Sequence, residues 1–309
     1  MYDNIAMILN KDTSPGTDFL NEIPQYLTLV VNEGTGQTGN YVIGYLDNIK
    51  VNISENRIKL SDFSICKYWL GDNFKTLTKG DTRQAIEKIS NILHLPFNRA
   101  NITGIDFASN FIMLYPEKVY YPYLGTAQYY NRLEQPNGLY YNNKLRQLVF
   151  YGKEYEQRVK RQVIPELYKN RNVLRYELRL RKRLRQQLKR QEITAGLLSD
   201  EVFYKYVLSK WENEYLAIQK INSKLIKMKP TGSKKELAEN LALYTILELG
   251  QSQVLSKVKE WQQMGEISKK QAYDLRAFII QLSRSPIDEK GNDLINELDR
   301  KVKEAARCW

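Results

Sequence analysis

In the stretch "NVLRYELRLRKRLRQQL", residues 172–188, a single glutamate stands among arginines and lysines. A strip that only held an anion has no need of Glu177, and a strand that only balanced its charges would carry more than one acid. Side chains alternate along a strand, so Arg175, Glu177 and Arg179 share one face, with Leu174, Tyr176, Leu178 and Leu180 on the other. The same alternation in "ITGIDFASNF" sets Asp106 on the face of Gly104 and Ala108. In "QLVFYGKEYE" it sets Tyr151 and Lys153 together, opposite Phe150. If these strands are neighbours, one sheet face presents two carboxylates, a tyrosine and a lysine. Hard oxygen ligands of this kind suit Mg²⁺ or Mn²⁺, while Arg175 and Arg179 suit phosphate oxygens. Plainer readings stand beside this one. A strand aspartate is often a surface or turn residue, Glu177 is an ion-pair member, and any of the 22 tyrosines is a packing or stacking ring.

Charge favours an anionic partner. The net charge is +12, and residues 151–190 hold 14 Lys and Arg against 4 Asp and Glu, so most of the excess lies in one segment. Tyrosines crowd residues 115–155 beside those cations, which suits base stacking along a single strand. The 309 residues suffice for one large domain or two ordinary ones. No long uncharged apolar run suggests a membrane span, and the first residues do not read as a signal peptide. Cys66 and Cys308 are too far apart to read as a metal pair, which suits a reducing cytoplasm.

The elements that must position these residues change character along the chain. "QYLTLVVNE", "NYVIGYLDNIKVNIS" and "RIKLSDFSICKYWLG" read as strands, and "KGDTRQAIEKISNILHL" as a helix capped by Asp81 or Thr82 and stopped by Pro96. "NITGIDFASNFIML", "GLYYNN", "QLVFYGK" and "VLRYELRL" follow as strands, with a helix predicted over residues 154–168. Beyond Arg181 the periodicity is helical, and Ser233 with Glu236 fits a capping box. An α+β domain is therefore expected over residues 1–190 and a helical region over 191–309.

Four strings carry a resemblance to filamentous-phage-type rolling-circle replication initiators. "IKLSDFSICKYWLGDNFKTLT" resembles their segment small-Leu-x-Lys-[Tyr/Phe]-x-x-Gly-x-Asn, here Ser64, Ile65, Cys66, Lys67, Tyr68, Leu70, Gly71 and Asn73. "GIDFASNF" resembles the family strand with its acidic residue. "LGTAQYYNR…GLYYNNKLRQLVFYGKEYE" resembles the stretch ending in Phe-Tyr-Asp-Lys-x-x-Glu, and "VLRYELRL" the Arg-[Tyr/Phe]-Glu-[Leu/Val] strand shared with plasmid initiators. The strings run in the family's order over residues 25–190, and the likeness is weaker beyond. The resemblance implies a central antiparallel sheet of the rolling-circle nuclease and relaxase type, with packed helices and a helical C-terminal region. It implies a sequence-specific endonuclease that nicks one strand at a replication origin, keeps the 5′ phosphate on a tyrosine and rejoins the ends. By position, Asp106 and Glu177 would be ligands of Mg²⁺ or Mn²⁺, Glu156 a third, and Tyr151 the nucleophile, with Lys153 lowering its pKa or touching phosphate. Arg175, Arg179, Arg181, Lys182, Arg183 and Arg185 would hold DNA, single-stranded or supercoiled. A host helicase is the further candidate partner, and the bacterial cytoplasm the expected place.

Two departures stand out. Gly152 replaces the aspartate usual after that tyrosine, and the one histidine, His94, rules out a His-hydrophobic-His metal pair and reads as a packing or helix-end residue. Tyr129, Tyr130, Tyr140 and Tyr141 compete with Tyr151 as the nucleophile. The competing functions are a DNA-binding replication or regulatory protein without nuclease activity, and a basic structural protein that packages a genome.

Overall fold

A computed structural model describes residues 1–37, 39–221, 233–283 and 289–307; Cys308 lies outside them. Alternating β-branched and aromatic residues build β1 Tyr2–Asn10, β2 Leu29–Gly36, β3 Gly39–Leu46, β4 Ile49–Ser54, β5 Arg57–Ser64 and β6 Asn101–Met113. Further along lie β7 Leu124–Ala127, β8 Asn131–Gln135, β9 Gly138–Asn142, β10 Arg146–Gly152, β11 Asn172–Leu180 and β12 Ile218–Lys220. Ten of them form one antiparallel sheet in the order β2-β3-β4-β5-β1-β6-β11-β10-β9-β8. The fold is α+β, as expected, with a helical region toward the C-terminus.

Helices α1 Phe19–Glu22, α2 Ile65–Leu70, α3 Lys79–Leu93, α4 Lys153–Val159, α5 Leu184–Gln187 and α6 Glu201–Leu216 accompany the sheet. Register sets its two faces apart. Phe107, Leu178 and Leu148 stand opposite one another across β6, β11 and β10, as do Ser109, Tyr176 and Phe150 in the next row. Helix α6 closes over this apolar face. The Tyr176 ring lies 4.6 Å from Phe150 and 4.8 Å from Trp211, and its hydroxyl donates to the Trp211 carbonyl at 3.1 Å. The opposite face carries the polar rows.

Several local expectations need correction. The predicted strand ending at Gly71 breaks at Ser64, because the Ser64 hydroxyl caps Lys67 N–H at 3.2 Å and starts α2. Gly71, at φ 81°, ends that helix in the left-handed region. Helix α3 is capped by Thr78, which exchanges hydrogen bonds with Asp81, so neither Asp81 nor Thr82 is the cap. His94 ends α3 with a left-handed backbone and packs against the Tyr26 ring at 4.8 Å. The helix predicted over 154–168 stops at Val159, and after Pro165 only a short turn, Glu166–Tyr168, follows.

The chain divides into two compact units, and the division is not at residue 190. The first comprises Met1–Tyr121, Thr126–Ile218 and the chain from Arg300 on; the second comprises Pro122–Gly125 and Gln219–Asp299. Helix α6 belongs with the sheet because it buries Phe203, Tyr204, Val207, Leu208, Trp211 and Tyr215. In the second unit, α7 Lys234–Leu249, α8 Gln251–Gln263 and α9 Lys269–Ser283 bury Ile246, Val258, Ala272 and Ile279. The Ser233 hydroxyl caps α7 through Glu236 N–H. Helix α10, Glu289–Arg307, begins in the second unit and ends in the first.

Candidate active site

Strands β6, β11 and β10 are neighbours, so the face expected from alternation exists. Asp106 stands opposite Arg179, Ala108 opposite Glu177, Val149 opposite Glu177, and Tyr151 opposite Arg175. The Tyr151 hydroxyl donates to Glu177 Oε1 at 2.8 Å. Arg175 Nε donates to the same oxygen at 2.6 Å, and Arg179 Nε donates to Glu177 Oε2 at 2.7 Å. Tyr151 is 9% exposed and opens onto a cleft of about 350 Å³ lined also by Tyr140, Tyr155, Glu156, Lys160 and Arg179.

Arg175 is the keystone of the cluster and is 3% exposed. Its Nη1 donates to the Asn73 carbonyl at 3.1 Å and to Asn110 Oδ1 at 3.0 Å, and its Nη2 donates to Asp3. Asp3 in turn accepts from the Ser64 hydroxyl at 2.5 Å and from Asn73 Nδ2 at 3.3 Å. The Ser64-to-Asn73 segment therefore has a plain physical task. Its short capped helix and glycine stop bring Ser64 and Asn73 back onto the Asp3–Arg175 pair.

Burial and arginine pull on these groups in opposite directions. Burial alone would raise the Glu177 carboxyl, but Arg175 and Arg179 hold it down to about 2. Burial pushes the Tyr151 phenol well above its ordinary value, against the pull of Arg175 and with the push of Glu177. Asp106 is fully buried, and burial raises it despite Arg181. Arg181 Nη2 donates to Asp106 Oδ2 at 2.7 Å, with Asn4 Nδ2 on the same oxygen at 3.0 Å. Arg181 Nη1 meets Oδ1 at 2.5 Å, off the line of a hydrogen bond.

Lys153 is not where alternation put it. Strand β10 ends at Gly152, and Lys153 opens α4, so it does not share a strand face with Tyr151. Its ammonium lies 2.7 Å from Glu156 and 5.7 Å from the Phe74 ring centre, and burial, with Arg175, lowers its pKa to about 8. Glu156 pairs with Lys153 and Lys160, which hold it at about 2 against burial. It does not join Asp106 and Glu177.

A divalent cation does not fit these residues as they stand. Arg181 takes the oxygens of Asp106, Arg175 and Arg179 take those of Glu177, and two lysines take Glu156. Among the described residues no three His, Cys, Asp or Glu side chains gather in a way that could hold a metal ion.

Gly152 has a local reason. A Cβ there would lie 2.8 Å from the Glu117 carboxylate, on the side of β10 opposite Tyr151. The departure from the family's aspartate thus falls at a residue that lines the Tyr151 cleft with its backbone, while a side chain there would meet Glu117. Among the rival tyrosines, Tyr130 donates to Glu214 at 2.6 Å and accepts from Arg146 at 2.6 Å, and Tyr141 is fully buried. Tyr129 is exposed at 82% and is not among the residues that line the Tyr151 cleft. Tyr140 does line that cleft, and so does Tyr155, which the sequence did not single out. The sequence also missed Asp3, Asn4 and Asn110. Asn73 was in view only as the last position of the family segment.

The sheet and this face define a protein that buries a tyrosine–carboxylate–arginine cluster beneath a cationic surface. The family model for the N-terminal part of a phage replication-associated protein matches residues 45–213, more than half of the chain. The chain belongs to that family of filamentous-phage-type replication initiators, and membership implies that DNA is its partner. Comparison with curated proteins finds no match. Among the described residues no helix is long and apolar enough to cross a membrane.

Proposed function

We propose that the protein nicks one DNA strand at a replication origin and rejoins it through a phosphotyrosine on Tyr151. The observation that carries this is the 2.8 Å hydrogen bond to the buried Glu177 from the hydroxyl of Tyr151, which itself lines a cleft. In the nicking step the Tyr151 oxygen bonds to the scissile phosphorus while the bond from phosphorus to the 3′ oxygen breaks. The phenol proton passes to Glu177, and the released 3′ oxygen takes a proton from water. The phosphoester energy is kept, so rejoining runs the same step backwards and needs no nucleotide.

Glu177 held near 2 is a poor base for a phenol raised by burial. Arriving DNA changes that balance. Arg179 is 31% exposed and borders the cleft, so a phosphate draws its guanidinium away from Glu177 and the carboxylate becomes more basic. Arg175, locked by Asp3 and Asn73, stays in place and faces the developing phenolate. In this reading the lone glutamate among arginines is a proton acceptor that substrate switches on. The opened duplex would then pass to a host helicase in the bacterial cytoplasm.

The test is incubation with supercoiled DNA bearing the replicon's own origin. Open circles and a covalent protein–DNA adduct are expected from the native protein, and neither from Tyr151→Phe. The closed ion-pair network favours a second reading, in which the cluster only braces a DNA-binding sheet. Tyr151→Phe would then bind DNA normally, and no protein would form an adduct.

A further inference from the structure

The polar face does not end at Asp106. Register carries it outward across β1, β5, β4 and β3, pairing Asn10 with Arg57, Ile8 with Lys59, Lys59 with Asn52, and Lys50 with Tyr45. The other set of positions on these strands, including Val42, Leu46, Val51, Ile53, Ile58 and Leu60, is buried. Arg57, Lys59 and Tyr45 are exposed. No carboxylate occupies the outer face of β3, β4, or β5 up to Lys59, and Asp62, at a bulge, meets Lys50 at 4.0 Å.

Three observations point to a ligand. Arg57, Lys59, Arg183 and Arg185 have no carboxylate partner among the described residues. Arg57, Arg183 and Arg185 line a cleft of about 540 Å³, and the buried Oδ1 of Asn101, which also lines it, has no hydrogen-bond partner. Beyond the cleft, the Tyr41 side chain lies close over Gly34 and Gly36, where added Cβ atoms would meet its ring at 3.3 and 3.6 Å. On the same face of β3, beyond Ile43, lies the 36%-exposed Tyr45, whose strand partner is Lys50, so this face carries aromatic rings among cations.

We infer that the outer face of β3, β4, β5 and β1, with the Arg57–Arg183–Arg185 cleft, is a platform for the single-stranded DNA that flanks the cleaved bond. This rests on the reading of Tyr151 as the nicking residue. Cations spaced along a sheet take successive phosphates, and tyrosine faces take unstacked bases. A duplex is the poorer fit, because its bases are stacked and paired and cannot lie on the tyrosine faces.

The test uses the full chain and fluorescently labelled oligothymidylate, with affinity read across a range of salt. For Arg57→Gln with Lys59→Gln the slope of log affinity against log salt should fall by roughly 1.4, two single-strand phosphates at about 0.7 each. Tyr45→Ala should weaken binding roughly fivefold or more, and Tyr45→Phe should not. Adduct formation at Tyr151 on an oligonucleotide spanning only the cleavage site should be unchanged in all three. Unaltered slopes and affinities with the adduct intact overturn the platform, as does an equal loss of binding to duplex of the same length. An absent adduct in the native protein, with the salt and Tyr45 effects present, sinks the nicking reading and leaves the platform standing.

Discussion

Glu177 accepts from Tyr151, Arg175 and Arg179 at once, and that crowding makes its charge a source of stability as well as of chemistry. Its folded pKa of about 2 lies below the ordinary 4.5, so the native state binds its proton less readily than the unfolded chain does. The stabilisation is therefore complete above pH 4.5 and is lost as pH falls toward 2, to the extent of about 3 kcal/mol. Urea unfolding at stepped pH should show that acid limb in the native protein and a flatter one in Glu177→Gln. Identical limbs would mean that other carboxylates carry it. The arginines also govern metal. With Asp106 and Glu177 already paired, Mn²⁺ without DNA should leave the thermal midpoint unmoved, because an ion that does not bind the native state cannot stabilise it. A clear upward shift that Asp106→Asn or Glu177→Gln abolishes would show that the guanidinium groups yield to the cation.

At the scale of elements, the end of β10 decides two matters at once. Gly152 lets the Glu117 carboxylate lie against the strand, and it is the last strand residue before α4. Gly152→Ala should push Glu117 aside at a cost of about 1 kcal/mol, with Glu117→Ala removing most of it, and leave nicking at the native rate. A nicking rate that falls with stability unchanged would show that the glycine serves the chemistry after all. Alternation within β6, β10 and β11 was enough to bring Asp106, Tyr151 and Glu177 to one face, since Ile105 and Phe107, Leu148 and Phe150, and Leu174, Tyr176, Leu178 and Leu180 mark the opposite side. It failed at Lys153, because nothing in "FYGKEYE" marks the change from strand to helix between two consecutive residues. The basic run after β11 forms only the four-residue α5, and Lys182, Arg183 and Arg185 are exposed. Replacing those three with glutamine should flatten the salt dependence of DNA binding, and an unchanged slope would move the main phosphate contact elsewhere.

For the whole molecule, the part of the site hardest to read was the part made by distant segments. Asp3 and Arg175 are 172 residues apart, and Asn73 reaches Arg175 from 102 away, so no local pattern announces their meeting. Helix α6 reads from the sequence as part of the C-terminal region because it shares the helical periodicity of the segments after it; its buried residues from Phe203 to Tyr215 do form one stripe, but nothing in that stripe says which surface it covers. Its closure over Tyr176 and Phe150 backs the strands that hold the cluster, so the sheet and α6 act as one support for Tyr151. What this support presents is a single buried hydroxyl on a carboxylate, and the central claim is that this hydroxyl attacks DNA. The direct measurement is to trap the adduct on a suicide oligonucleotide carrying the origin's cleavage site and to sequence the labelled peptide. The label is expected on Tyr151, and Tyr151→Phe should give no adduct while binding DNA with near-native affinity. A label on Tyr140, Tyr155 or any other residue, or an undiminished adduct in Tyr151→Phe, would contradict it.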